Sequence, residues 1–265
     1  MKKLIFALAI LTTAGCSMNG IEYSDMKIVA HRGGALLGNE NTLSAFRTGM
    51  ATGADMVEFD VHMTSDGVLV VCHDEDLDRT TDSKGRIDTL TLEEFKKARA
   101  LDRESGKPTD EALPTMEEAL DLIRGNADIL LEIKKFHKGQ YEGIEKKVLD
   151  MVNGKGMHDN VIIQSFDDSI LEKVHELDPT MRIEKLIICR VLPGLCIDNG
   201  LNTFSFRKYA ACASINPMHA LTSARFVRQC HKAGKEVKIW TVDSPKKVIP
   251  GVDAIISNRP DLFSK

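Results

Sequence analysis

The sequence lacks several features that would assign it to a common functional class. Its formal net charge of −4 gives no support for nucleic-acid binding, which needs a concentrated basic surface. No C-x-x-C pair exists, which argues against a zinc site built from thiolates. There are no low-complexity runs or fixed-period repeats. What remains is a chain of 265 residues, 43% hydrophobic and 28% charged, which is long enough to bury a sizeable core.

The first residues have the layout of an export signal. In "MKKLIFALAILTTAGC" a basic start precedes an apolar run that is too short to span a bilayer, and small residues lead to Cys16. We expect a signal peptide over residues 1–15 and a polar linker over residues 16–25. The end of the signal resembles a bacterial lipobox, although Thr13 stands where Leu or Val is usual, and a plain cleaved signal is the alternative. The prediction is an exported protein of the periplasm or cell envelope, attached to a membrane only through lipid on Cys16.

An odd number of cysteines follows Cys16, so at least one of them is unpaired. They are Cys72, Cys189, Cys196, Cys212 and Cys230. Disulfides are permitted outside the cytoplasm, and Cys189 and Cys196 are close enough in sequence to form one. A domain of this size does not need such a bond, so we expect buried thiols for most of the five.

Strand and helix patterns alternate along most of the chain, which predicts parallel strands joined by helical crossovers. Of nine strand candidates, Val68–Cys72 follows a loop too short for a crossover and must return antiparallel. The eight others predict a slightly irregular (β/α)8 TIM barrel over residues 26–265. An open doubly wound sheet is the alternative, but no G-x-G-x-x-G follows the first strand. Residues 75–113 form a small polar insertion, and Asn41 is expected to cap the first helix.

The stretch "VEFDVHMTSDGVLVVCHD" places two acids and a histidine on a predicted hairpin. Glu58 and Asp60 share one strand face because side chains alternate. A two-residue turn would set His73 opposite one of these acids, whereas a register with Thr64 opposite Val68 would send His73 to the other face. We favour the two-residue turn, which builds a cluster of two acids and one imidazole. A solvated hairpin with a surface ion pair is the plainer alternative.

Two further strand ends add residues of the same chemistry. "HRGG" supplies His31 and Arg32, and "LEIK" supplies Glu132 and Lys134, all where barrel active sites lie. Carboxylates bind Mg2+ or Ca2+, the cations suit a phosphate, and the imidazoles suit proton transfer. Each residue alone also has an ordinary structural explanation, such as an acid and a lysine pairing across a barrel layer. Together they favour metal-assisted cleavage of a phosphodiester.

Nine motifs in order resemble the glycerophosphodiester phosphodiesterase family over nearly all of the chain that follows the linker. They are "HRGG", "ENTLSAF", "GADMVEFDVHMTSDGVLVVCHDEDLDRTTDSKG", "LPTMEEAL", "LLEIK", "QSF", "INP", "WTVD" and "GVDAIISNRPD". The resemblance implies a TIM barrel with an insertion after the second histidine. It also implies hydrolysis of a small glycerophosphodiester to sn-glycerol 3-phosphate and an alcohol, with one divalent cation, Mg2+ or Ca2+.

Carried over by position, the resemblance implies a general acid/base pair, a metal-ligand set, two phosphate-binding cations and two pocket walls. These are His31 and His73; Glu58, Asp60 and Glu132; Arg32 and Lys134; and Phe166 and Trp240. Core packing is an equal alternative for Trp240. By the same resemblance, Glu40 and Asn41 are expected to order the first loop, with a helix cap as the plainer explanation.

Two departures from the family motifs occur at His62 and Asn258, where Asn258 stands in place of a usual aspartate. We expect neither to touch the core set, and an effect of Asn258 on substrate preference stays open. Two other functions remain alternatives. A phosphatidylinositol-type phospholipase C also uses a barrel and two histidines, but the acidic trio argues against its metal-independent form. A surface-displayed binding protein without catalysis is the second alternative, and the intact histidines argue against it.

Overall fold

The computed structural model describes residues 26–136, 139–192, 195–197 and 204–263. The predicted signal peptide, the linker and the lipid attachment at Cys16 lie outside these residues, as do the side chains of Cys189 and Cys196. Within the described part, no helix is long and apolar enough to cross a bilayer. Cys72, Cys212 and Cys230 are buried thiols, as expected.

The described chain alternates strands and helices as the sequence pattern predicts. The strands are β1 Lys27–Ala30, β2 Met56–Met63, β3 Leu69–Val71, β4 Arg99–Leu101, β5 Pro108–Ala112, β6 Asp128–Ile133, β7 Val161–Ser165, β8 Ile183–Ile187, β9 Cys189–Leu192, β10 Leu195–Ile197, β11 Ser214–Pro217, β12 Glu236–Trp240 and β13 Ala254–Ser257. The α-helices are α1 Leu43–Ala51, α2 Leu92–Phe95, α3 Met116–Ile123, α4 Ile144–Gly154, α5 Asp168–Leu177 and α6 Ala224–Lys232.

Eight parallel strands close into a barrel. The order is β1-β13-β12-β11-β8-β7-β6-β2, and β1 also pairs with β2, so the sheet has no open edge at that point. The predicted (β/α)8 barrel is therefore confirmed, and the open doubly wound alternative is wrong. The barrel is irregular as expected, because a 3-10 turn at Pro245–Lys247 replaces an α-helix between β12 and β13.

Strand β2 shows why the barrel positions acids inside itself. Its apolar residues Val57, Phe59 and Val61 are fully buried in the cluster that packs the strands against the helices. The alternate residues Glu58 and Asp60 therefore face the opposite side, toward the barrel interior. Burial of the apolar face stabilises the strand by roughly 2 kcal/mol per large side chain, which holds the acids in place despite their desolvation cost.

Helix α1 begins one residue later than expected. Thr42, not Asn41, is its N-cap, and the Thr42 hydroxyl accepts from the Ala45 N–H. Asn41 instead adopts a left-handed backbone with φ 59° and directs its side chain into the barrel. The expectation for Asn41 as cap is therefore wrong, because a competing hydrogen bond to the carboxylate of Asp60 uses its amide.

The register of the β2–β3 hairpin also differs from the favoured prediction. Thr64 N–H donates to Val68 O, and His62 stands opposite Val70. This is the register that was expected to send His73 to the wrong face. Strand β3 ends at Val71, however, so His73 lies beyond the ladder, where strand alternation no longer decides its direction.

The insertion folds over one end of the barrel around a small core of its own. The hairpin β4–β5 and the four-residue helix α2 belong to it. Its buried residues are Val70, Cys72, Leu77, Ile87, Phe95, Ala98, Ala100 and Leu113. Val70 belongs to β3, and Cys72 follows directly after that strand. The short strand β3 therefore packs against both the barrel core and the core of the insertion.

Candidate active site

Three buried carboxylates meet at the carboxyl ends of β2 and β6. The register of the two strands places Asp60 beside Glu132, and Glu58 lies two residues earlier on the same face of β2. One oxygen from each of the three carboxylates lies within 4.8 Å of the others. The predicted ligand set is therefore brought together, although the paired residues Asp60 and Glu132 are 72 positions apart in sequence, as "VEFD" and "LEIK" suggested.

The ionisation of these acids is set by burial and by one another. Burial raises the pKa of Glu58 well above its usual value, and the charges of Asp60 and Glu132 raise it further. Burial also raises the pKa of Glu132. For Asp60, burial alone would raise the pKa, but Lys134 and other nearby positive groups hold it well below its usual value. Such a cluster of hard oxygen donors fits a divalent cation such as Mg2+ or Ca2+.

Two cations lie against this cluster. The Lys134 ammonium is 2.9 Å from Asp60 Oδ1 and 2.8 Å from Glu132 Oε1. Burial alone would lower the pKa of Lys134, but these two carboxylates raise it above its usual value. The backbone N–H of Arg32 donates to Glu58 Oε2 at 2.8 Å, and Arg32 Nε lies 3.7 Å from Asp60 Oδ2. Three carboxyl groups thus lie beside two cations, and a bound divalent cation would add the positive charge that favours ionisation of Glu58 and Glu132, whose pKa values are raised by burial.

Both predicted catalytic imidazoles border the same cavity, and each has its Nδ1 occupied. His31 Nδ1 is 2.6 Å from Asn258 Oδ1, and His73 Nδ1 is 2.6 Å from Asp74 Oδ1. The Nε2 atom of each ring is therefore the nitrogen available to a ligand. Burial lowers the pKa of His31 to about 4, and the neighbouring Arg32 adds to that effect. His31 is neutral near pH 7 in this environment.

Aromatic side chains form part of the wall of the cavity. Phe166 and Trp240 pack edge to face, with ring centroids 5.5 Å apart. Trp240 Nε1 donates to Asn216 O at 2.8 Å, which fixes the indole. Trp240 borders the cavity and also packs against an inner barrel cluster, so both interpretations of this residue hold. Every predicted site residue lines the cavity except Asp60 and Lys134, which contact each other beside Glu132.

Residues 31–262 match the model of the glycerophosphoryl diester phosphodiesterase family. The chain belongs to this family. The match spans both histidines, the three carboxylates and the aromatic wall, and it confirms the family predicted from the nine motifs. The chain is accordingly a phosphoric diester hydrolase of the glycerophosphoryl diester phosphodiesterase family.

Individual relatives agree with the family assignment. A curated glycerophosphodiester phosphodiesterase of Caldanaerobacter subterraneus subsp. tengcongensis is 34% identical over 241 residues, covering 89% of this chain and 95% of that protein. A crystal structure of a glycerophosphodiester phosphodiesterase from Agrobacterium tumefaciens is 26% identical with a TM-score of 0.72, covering 91% of this chain and 100% of that one. A phosphodiesterase from Oleispira antarctica, solved with its product sn-glycerol 3-phosphate, is 25% identical with a TM-score of 0.75, covering 89% of this chain and 94% of that one.

The two departures from the family motifs do touch the predicted set, contrary to expectation. Asn258 contacts His31, as described above. His62 Nε2 lies 3.3 Å from His73 O, and His62 Nδ1 lies 2.8 Å from the Tyr141 hydroxyl. Both contacts follow from loop geometry at strand ends, which strand alternation alone does not reveal.

Residues outside the predicted set also reach it. Asn41 Nδ2 donates to Asp60 Oδ2 at 2.8 Å. Arg79 pairs with both Glu40 and Asp74, which in turn contact Arg32 and His73 of the cavity lining. The family resemblance singles out Glu40 and Asn41 as residues that order the first loop, and Asn41 contacts Asp60 from that loop. For Asp74 and Arg79, the only sequence signal is that they lie within the longest of the quoted family motifs.

Proposed function

We propose that this member of the family hydrolyses glycerophosphodiesters to sn-glycerol 3-phosphate and an alcohol, with His31 and His73 as the general acid and base. The observation that carries the proposal is the shared cavity. It places both imidazoles and the carboxylates of Glu58 and Glu132 around one space. A phosphodiester in that space would meet an imidazole, a cation and an acidic metal site together.

The metal dependence of this reaction rests on the chemistry of the donor set. Glu58, Asp60 and Glu132 are all buried and close together, and their mutual repulsion is only partly offset by nearby cations. These residues would hold one divalent cation, Mg2+ or Ca2+. When bound, such an ion polarises the phosphoryl oxygens and offsets developing negative charge, which supplies several kcal/mol of transition-state stabilisation.

The proposed roles of the other residues follow from their positions. One imidazole removes the proton from the attacking oxygen, and the other protonates the departing alkoxide. Arg32 borders the cavity and binds a phosphate oxygen with its guanidinium, a group suited to that task. Lys134 contributes positive charge behind Glu132 and keeps Asp60 ionised. Phe166 and Trp240 exclude water from the apolar side of the substrate.

The decisive experiment measures release of sn-glycerol 3-phosphate from glycerophosphocholine by the purified protein with Mg2+ or Ca2+. His31→Ala and His73→Ala should each lower kcat by about 100- to 10,000-fold while folding normally. His175→Ala is the matched control, because this histidine lies on α5 beside a separate surface groove, and it should retain activity.

Two results would point to the alternatives. Turnover of phosphatidylinositol with none of glycerophosphocholine would favour a phospholipase C. Failure to release sn-glycerol 3-phosphate from several glycerophosphodiesters, with either metal present, would favour a binding protein without catalysis.

We also propose that the chain is exported and anchored through lipid on Cys16. The support is the layout of "MKKLIFALAILTTAGC", in which a signal sequence ends at this cysteine. Metabolic labelling with radioactive palmitate in a bacterial host tests the proposal. The full-length chain should incorporate label and sediment with membranes, and Cys16→Ser should do neither. Equal labelling of both chains would reject the anchor.

A further inference from the structure

Arg79 of the insertion joins two loops that carry different parts of the active site. Its Nη1 and Nη2 donate to Glu40 Oε2 and Oε1 at 2.9 Å and 2.7 Å. Its Nε donates to Asp74 Oδ2 at 2.5 Å. A planar guanidinium has five fixed N–H donors, so Arg79 can bind both oxygens of one carboxylate and still donate to a second carboxylate.

Each of the two carboxylates holds a proposed active-site group on its other side. Glu40 Oε1 also accepts from Arg32 Nη1 at 2.8 Å. Asp74 Oδ1 lies 2.6 Å from His73 Nδ1. The result is a continuous chain of polar side chains: Arg32, Glu40, Arg79, Asp74 and His73.

We propose that Arg79 is a positioning residue that sets the orientation of Arg32 through Glu40 and of His73 through Asp74. This inference rests on the proposed roles of Arg32 in phosphate binding and of His73 in proton transfer. Through Arg79, the insertion is part of the active site although none of its own residues needs to touch the substrate. Arg79 thereby holds the loop of Glu40 and the loop of Asp74 at a fixed distance from each other.

A purely structural role is the competing explanation, and the exposure of Arg79 argues against it. The Arg79 side chain is 48% exposed. Solvent screens ion pairs of a side chain this exposed, so losing them should barely change the melting temperature. A large effect on catalysis with little effect on stability would therefore identify positioning. Arg86 provides a matched control, because its guanidinium makes the same kind of fork with Asp88 in the same insertion, without a contact to the site.

The experiment separates the two arms with four variants of the metal-loaded enzyme. The readouts are kcat on glycerophosphocholine, the inhibition constant of sn-glycerol 3-phosphate, and the melting temperature. Glu40→Gln should weaken inhibition about tenfold with the smaller effect on kcat, because it releases Arg32. Asp74→Asn should lower kcat on the order of 10- to 100-fold with the inhibition constant unchanged, because it releases His73. Arg79→Gln should show both effects, and Arg86→Gln neither, with similar melting temperatures for these two.

Coupling provides the second test. Arg79→Gln combined with Asp74→Asn should lower kcat by less than the product of the two single losses, because both changes break the His73 arm and only the smaller contribution of the Glu40 arm is added. Wild-type kcat and inhibition in Arg79→Gln, or fully additive losses in the double variant, would overturn the inference. Such a result beside inactive His31→Ala and His73→Ala variants would leave the proposed function standing. An active His73→Ala variant would instead remove the proposed catalytic role of His73, and failure of the wild type to release sn-glycerol 3-phosphate would remove the proposed function.

Discussion

Asn258 Oδ1 lies 2.6 Å from His31 Nδ1, and the rest of the Asn258 side chain is fixed by Asp243. Asn258 Nδ2 donates to Asp243 Oδ2 at 2.9 Å, and a carboxylate can only accept. The amide oxygen must therefore face His31, and the proton must reside on His31 Nδ1. The neutral ring then presents the lone pair of Nε2 to the cavity. A residue expected to lie apart from the site thus selects the tautomer of a proposed catalytic base or acid.

Replacing Asn258 by Leu should release this control. We expect kcat on glycerophosphocholine to fall on the order of 10- to 100-fold, as for other residues that orient an active-site imidazole. The ¹⁵N chemical shifts of His31 should change from a single Nδ1-protonated tautomer to a mixture. A variant with wild-type kcat and an unchanged tautomer would show that Asn258 has no such role.

The carboxylate trio predicts stabilisation by divalent cations. Addition of Mg2+ or Ca2+ at about 100 times its dissociation constant should raise the free energy of unfolding by about 2.7 kcal/mol. Glu58→Gln should reduce this gain, because it removes one charged ligand. Glu111→Gln is the control, since Glu111 lies outside the trio and its carboxylate accepts hydrogen bonds from Ser44. The melting temperature with and without metal is the measurement. An equal gain in Glu58→Gln and the wild type would remove Glu58 from the ligand set.

Much of this site could be predicted because strand alternation is a short-range rule. Glu58 and Asp60 lie two residues apart on one strand, and that spacing alone places both inside the barrel. Glu132 on β6 follows the same rule, as does Lys134 directly after the strand ends at Ile133. Parallel strands then bring their carboxyl ends together, so four of the charged residues could be placed from local sequence alone.

What the sequence did not reveal depends on loops. The sequence predicts that a two-residue turn places His73 beside the acids. In the structure His73 borders the same cavity, but the hairpin has a different register. His73 borders the cavity because β3 ends at Val71, so strand alternation does not determine the direction of the His73 side chain. Asn258 and Arg79 act through side chains from separate loops. Their contacts span 227 and 39 residues, distances over which no periodic pattern carries information.

The aromatic wall predicts a fluorescence signal for ligand binding. Trp240 is the single tryptophan of the chain and borders the cavity, so intrinsic emission reports on this site alone. Titration of the metal-loaded protein with sn-glycerol 3-phosphate should shift or quench the emission with saturation. Phe166→Ala should weaken the apparent affinity about tenfold, because edge-to-face packing that holds the indole is lost.

His73→Ala is the control for this titration, because it should lose turnover while keeping the fluorescence change. An emission spectrum that stays constant while the same compound inhibits turnover competitively would place the ligand away from Trp240.

The buried ion pair of Lys185 and Asp168 predicts a pH-dependent stability. Lys185 is fully buried, donates to Phe166 O and lies 2.9 Å from Asp168 Oδ1. Asp168→Asn removes a charge partner from this ammonium and should cost on the order of 3 kcal/mol. That value is at the low end for a broken buried pair because the Asp168 side chain is 25% exposed. Asp150→Asn, in an exposed pair with Lys146, should cost about 0–1 kcal/mol and serves as the control.

The pH dependence follows from the pKa of Asp168. Burial alone would raise that pKa, but the ammonium groups of Lys208 and Lys185 lower it below the usual value. A carboxyl with a lowered pKa in the folded state contributes stability above its unfolded pKa of about 4, and that contribution is lost as the pH falls through the folded value. Urea unfolding should therefore separate the wild type from Asp168→Asn by a constant amount between pH 7 and pH 5, and by less at pH 3. A difference that stays the same or grows at pH 3 would contradict the ionic role of Asp168, because the unfolded wild type binds a proton at this carboxyl below about pH 4 and thereby loses part of its advantage over the amide.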